Sequence, residues 1–135
     1  MPQTHLLLVA ACALIDADGR VMIAQRPASR DMAGLWEFPG GKLEADESPE
    51  QALIRELGEE LGIAVRQDCL APFTFASHPY PEFHVLMPLY ICRKWEGLPC
   101  PHHHQALKWV FPRDLRLYPM PPADLPLIPL LCDLL

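Results

Sequence analysis

The stretch that decides how this chain is read runs Gly41-Lys42-Leu43-Glu44-Ala45-Asp46-Glu47-Ser48-Pro49-Glu50-Gln51-Ala52-Leu53-Ile54-Arg55-Glu56-Leu57-Gly58-Glu59-Glu60-Leu61-Gly62-Ile63. Its spacing predicts a helix. Ser48 suits an N-cap, Pro49 the first helical position, and Gln51 completes a Ser-x-x-Gln capping box. Gly62 suits the stop. Leu53, Leu57 and Leu61, with Ile54 beside them, make one apolar stripe for a core. On another face Glu56, Glu59 and Glu60 stand at i, i+3 and i+4, so at 3.6 residues per turn their side chains fall within about 100° of one another. Three carboxylates so placed repel unless a cation lies among them. A hard divalent ion such as Mg²⁺ would serve, since it joins a few carboxylates to phosphate oxygens. The alternative on these residues alone is an ordinary solvated face.

Upstream, His5 to Ile15 is almost continuously apolar and ends at Asp16-Ala17-Asp18-Gly19, which reads as a hairpin turn into Val21-Met22-Ile23-Ala24. From Arg26 to Lys42 the periodicity is lost among Pro27, Gly34, Pro39, Gly40 and Gly41. An irregular surface loop is expected there. Downstream, Val65 to Phe75 and Phe83 to Trp95 read as strands joined around Pro79 and Pro81. Prolines break the tail, leaving a short final helix expected from about Ala123.

Read as Gly41, five residues, Glu47, seven residues, Arg55-Glu56-Leu57, one residue, Glu59-Glu60, one residue, Gly62-Ile63, the stretch fills every fixed position of the Nudix box. The chain therefore resembles the Nudix hydrolases. That resemblance implies an α+β fold, an α/β/α sandwich with a central mixed sheet, and Mg²⁺-dependent cleavage of a nucleoside diphosphate linked to another group. By position, Glu56, Glu59 and Glu60 would hold the metal, with Mn²⁺ able to substitute, and the Gly40 carbonyl could add a ligand. Arg55 and Glu47 would brace the helix, and one or more of the carboxylates would activate water. Metal chemistry of this kind stabilises charge as a phosphoanhydride breaks. Lys42 is a candidate phosphate contact, or simply a surface lysine.

Gln25-Arg26-Pro27 and Gly34 to Lys42 look like the MutT-type branch, which hydrolyses 8-oxo-dGTP and other noncanonical triphosphates to the monophosphate and pyrophosphate. His104-Gln105-Ala106-Leu107-Lys108-Trp109 and Tyr118 to Asp124 extend the similarity over nearly the whole chain. Carried over, Arg26 and the backbone at Phe38 would border the base, and Asp124 would face its hydrogen-bonding edge. The guanine-type member has asparagine at Asp124 and an arginine near Phe83. An ionised aspartate only accepts hydrogen bonds, so it suits guanine O6 only if protonated. The tail Pro122 to Leu127 also resembles the branch acting on cytidine triphosphates, which keeps that substrate class open. A metal-binding glutamate of the guanine type aligns with His103. The run His102-His103-His104 is expected to be a solvated loop. Trp36 is the tryptophan best placed to stack on a base. The same fold also serves as a non-catalytic recognition module, but such modules usually carry a degraded box.

With 135 residues the expectation is a single Nudix domain over 1–135, able to fold alone. The net charge of −6 argues against nucleic-acid backbone as a partner. Five cysteines without a Cys-x-x-Cys pair argue against zinc and disulfides, and most are expected to be buried thiols. The apolar start lacks a basic flank and is cut short by Asp16, so a cytoplasmic monomer or weak dimer with no membrane partner is expected.

Overall fold

The computed structural model describes residues 5–104 and 106–135. Gln105, in one of the segments that carries the resemblance, lies outside them, as do residues 1–4. Seven strands and two α-helices alternate in the order β1 (Leu6–Leu14), β2 (Val21–Gln25), β3 (Trp36–Glu37), β4 (Gly40–Lys42), α1 (Pro49–Leu61), β5 (Ala71–Pro79), β6 (His84–Cys92), β7 (Ala106–Val110) and α2 (Leu127–Leu134). A mixed sheet has the order β4-β1-β6-β5, with β1 and β6 parallel and the other pairs antiparallel. An antiparallel sheet β3-β2-β7 lies beside it. The expected α+β Nudix architecture is present.

Strand β1 explains why its sequence is unbroken in hydrophobicity. Ala10, Cys12 and Leu14 face a core that includes Leu53, Leu57 and Leu61 of α1, while Ala11, Ala13 and Ile15 face a second core with Leu127, Ile128 and Leu131 of α2. A strand covered by helices on both faces has no polar side to alternate with. Helix α1 follows its sequence closely. The Ser48 hydroxyl accepts from the Gln51 amide, the Gln51 side chain accepts from the Ser48 amide, and Gly62 closes the helix in the left-handed conformation.

Other expectations are corrected. The Asp16–Gly19 turn forms, held by the Asp16 carboxylate accepting from the amides of Asp18 and Arg20. However, the strands it joins meet at the single pair Ile15–Val21 and then part into different sheets. The strand expected at Val65 starts only at Ala71, because the polar Gln67–Cys69 coils into a 3₁₀ turn; the strand expected to reach Trp95 ends at Cys92. Helix α2 starts at Leu127 rather than Ala123, since Asp124 and its neighbours form a turn in which Leu127 N–H bonds the Asp124 carbonyl. Pro129 is tolerated in the first turn of α2, where amides lack intrahelical partners anyway. The expected loop from Arg26 to Lys42 contains two short strands, β3 and β4. Only Cys12 and Cys92 are fully buried; Cys69 and Cys132 are half-buried and Cys100 is exposed. Among the described residues no helix is long and apolar enough to cross a membrane.

Because Leu57 is fully buried between α1 and the mixed sheet, Leu57→Ala is expected to lower unfolding free energy by about 3 kcal/mol. Urea denaturation of wild type and variant measures it.

Candidate active site

A cleft of about 890 Å³ opens between α1, β1, the loop after β2 and the turn before α2. Glu56, Glu59 and Glu60 line it together with Gly40, Gly41 and Lys42, and so do Arg26, Glu37, Phe38, Tyr80, Phe83 and Asp124. The residues expected to touch substrate therefore share one cavity of the size that takes a small-molecule ligand.

Arg55 organises one end. Its Nε and Nη2 donate to the two oxygens of Glu47 at 2.8 and 2.9 Å, and its Nη1 donates to Glu56 Oε1 at 2.6 Å. A further bond from Nη2 to the Lys42 carbonyl ties the helix to β4. The fork holds the Glu47 carboxyl down at about 2, with the Glu44 amide adding to it. Gly41 faces Glu56 so closely that a Cβ there would stand 2.5 Å from the carboxyl carbon, and a Cβ at Gly40 would run into the backbone of Ala10. Both glycines are required by close approach.

Glu60 is buried on the cleft side of α1 and its Oε2 has no partner among the described residues. Burial first, and then the hydrogen bond and charge of Glu56, push its carboxyl up to about 9. The two carboxylates thus share a proton at neutral pH. A divalent cation supplies what this arrangement lacks, an electrophile for the unpartnered oxygen and a counter-charge for two acids. The donor set fits such an ion. Glu59 stays at the rim, more than half exposed and 3.5 Å from Arg55. Among the described residues no three His, Cys, Asp or Glu side chains converge on one point. Two converging carboxylates suit an ion that keeps waters and takes phosphate oxygens better than one needing a full protein cage.

At the other end the walls are apolar, from Leu7, Val9, Phe38, Tyr80, Phe83 and Val85. Asp124 is buried there, and desolvation, followed by the charge of Glu37, pushes its carboxyl up to about 8 against the Phe38 amide and Arg26. At neutral pH it is largely a neutral acid, able to donate as well as accept.

Three expectations change. Trp36 is buried in the core, edge-on to Tyr118 at 5.6 Å, because β3 turns its ring inward; it does not line the cleft. His103 is exposed at the cleft, as a solvated loop implies, but His104 is buried, since its ring turns in to bond Glu37 at 2.8 Å. Glu37 itself, which also accepts from Arg26 Nη1 at 2.6 Å, was not singled out from the sequence. Nor was Tyr80, whose hydroxyl accepts from the Ala123 amide next to Asp124. A charged residue alone inside Trp36-Glu37-Phe38 was the available signal for the first.

A family model described as NUDIX domain matches residues 10–130. The CTP pyrophosphohydrolase of Escherichia coli K12 is 43% identical over 132 residues, covering 90% of this chain and 89% of that one. The 8-oxo-dGTP diphosphatase of Proteus vulgaris is 48% identical over 91 residues, 67% of this chain and 80% of that one. A structure of MutT, described for Aliivibrio salmonicida and Vibrio cholerae, superposes with a TM-score of 0.80 at 30% identity, covering 96% of this chain and 99% of that one.

A cation entering between Glu56 and Glu60 has to displace their shared proton. At pH 7, below the raised Glu60 value and above its ordinary 4.5, binding is expected to release about one proton. Affinity should rise with pH until about 9. Calorimetry of Mg²⁺ binding in two buffers of different ionisation enthalpy measures this, and Glu60→Gln should abolish the release.

Proposed function

The chain belongs to the Nudix family of hydrolases, which act on nucleotide phosphoanhydride bonds, and from that membership we propose a Mg²⁺-dependent nucleoside triphosphate pyrophosphohydrolase of MutT type. It hydrolyses an oxidised or noncanonical triphosphate such as 8-oxo-dGTP to the monophosphate and pyrophosphate, sanitising the nucleotide pool. The observation that carries this reading is the single cleft with paired acids at one end and a buried neutral Asp124 between apolar walls at the other. We propose one domain acting without a nucleic-acid partner.

Glu56, Glu59, Glu60 and the Gly40 carbonyl hold Mg²⁺, with Mn²⁺ able to replace it. The ion screens the phosphates and lowers the pKa of water. Arg55, clamped by Glu47, keeps Glu56 turned toward the cleft. Glu56 and Glu59 are the acids assigned to catalysis, and Lys42 at the rim meets a phosphate. Arg26 and Phe38 border the base. The carboxyl of Asp124 offers an O–H to guanine O6 and a carbonyl to N7–H of an 8-oxopurine.

A second reading, a CTP or 5-methyl-dCTP pyrophosphohydrolase, is favoured by the 43% identity to the Escherichia coli CTP enzyme over 90% of this chain. Ionised Asp124 would accept from a cytosine amino group. Pyrophosphate release from 8-oxo-dGTP, dGTP, CTP and 5-methyl-dCTP separates the two. The MutT reading expects kcat/KM for 8-oxo-dGTP to exceed that for CTP at pH 7, and the preference to shrink as pH rises through about 8 and Asp124 loses its proton. A larger value for CTP at pH 7 overturns it.

With the metal on α1 and His103 in the exposed loop, Glu59→Gln is expected to lower kcat by about a hundredfold, whereas His103→Ala changes it far less. Equal losses in steady-state assays would place His103 among the metal ligands.

A further inference from the structure

Three polar side chains meet at one end of the small sheet. Arg26 follows Gln25, which pairs with both Trp36 and Ala106; Glu37 pairs with Ala24; and His104 precedes β7 by two residues. The Glu37 carboxylate bridges the other two. Its Oε1 accepts from Arg26 Nη1 at 2.6 Å, and its Oε2 lies 2.8 Å from His104 Nε2. Arg26 Nε donates to the Asp31 carbonyl at 2.7 Å, so the guanidinium is gripped from two sides.

His104 has no exposure to solvent, and its Nδ1 has no partner among the described residues. Burying an imidazole with one nitrogen unsatisfied is costly, and a leucine would fill the space without that cost. What histidine adds is the contact from Nε2 to Glu37. Without it the next cation near Glu37 Oε2 is Arg30 at 3.7 Å, on a half-exposed side chain in the loop. Glu37 would then turn toward that loop and release Arg26.

We propose that His104 is a positioning residue for the nucleobase: it fixes Glu37, and Glu37 fixes Arg26 against the base wall of the cleft. The inference rests on the reading of Arg26 as a base contact. His104 touches no substrate, and the carboxylates of α1 lie at the other end of the cleft. Its loss therefore weakens recognition and spares the chemical step.

The test measures kcat and KM for 8-oxo-dGTP and CTP with Mg²⁺ in wild type, His104→Leu, His104→Gln, Glu37→Gln and the double variant His104→Leu/Glu37→Gln. Thermal unfolding is followed alongside. His104→Leu is expected to raise KM for the preferred nucleotide about tenfold, as loss of a charge-assisted hydrogen bond predicts, with kcat within about twofold. Discrimination between the two nucleotides should narrow. Glutamine, whose amide can still donate to Glu37, should restore most of the loss. The double variant should be no worse than the poorer single one, because both break the same link. A fall in kcat at constant KM, equal losses for both nucleotides, or additive effects would overturn the proposal, since a merely structural histidine gives those results. If wild type cleaves neither triphosphate but does cleave another nucleotide, the proposed function fails. The same split between KM and kcat on that nucleotide still decides the role of His104.

Discussion

Most of the site depends on one constraint, the crowding of Glu47, Glu56, Glu59 and Glu60 around a single guanidinium. Arg55 meets Glu47 with a bidentate fork, Glu56 through Nη1 and Glu59 at 3.5 Å. Pairs of this geometry are stronger than neutral hydrogen bonds and fix orientation as well as distance. The consequence is an uneven division of charge. Arg55 balances the outer side of the cluster, and Glu60, on the inner side and buried, is left to share a proton with Glu56. The deficit of positive charge is thereby concentrated at the cleft, where a metal and a polyphosphate would meet.

Strand β1 transmits that arrangement to the rest of the molecule. One of its faces seats α1, and the other packs on α2. Its pairing with β4, Ala10 opposite Gly41 and Ala11 opposite Gly40, brings the glycine loop beside Glu56. Helix, loop and strand cannot shift independently, because the space between Gly41 and Glu56 admits no side chain. The acidic end of the cleft is thus held by packing of the core as well as by its own ion pairs.

The parts legible in the sequence were those governed by local rules. The capping box at Ser48, the stop at Gly62 and the leucine stripe depend on neighbours within one or two turns, and each is found as expected. The residues that resisted reading are positioned by contacts distant along the chain. His104 reaches Glu37 across 67 residues, and nothing in His102-His103-His104 distinguishes the ring that turns inward. Trp36 illustrates the converse. Its place in a glycine-rich loop favoured exposure, yet the short strand β3 pairs with β2 and directs it into the core. The start of α2 was misplaced because Asp124 is held in a turn by its surroundings, a tertiary fact with no local signature.

Asp124 shows why substrate choice is harder to read than reaction class. From residue type alone, aspartate in place of asparagine removes a donor and weighs against a guanine-like base. Burial reverses the inference, because a desolvated carboxyl beside the charge of Glu37 keeps its proton and regains the donor. Asparagine and protonated aspartate then present similar hydrogen-bonding edges, differing in that the aspartate can be switched by pH or by moving Glu37. The position that sets base preference is therefore governed by an electrostatic neighbourhood. Glu37 links that neighbourhood to Arg26 and His104, so specificity at this end of the cleft belongs to a network of groups rather than to one side chain.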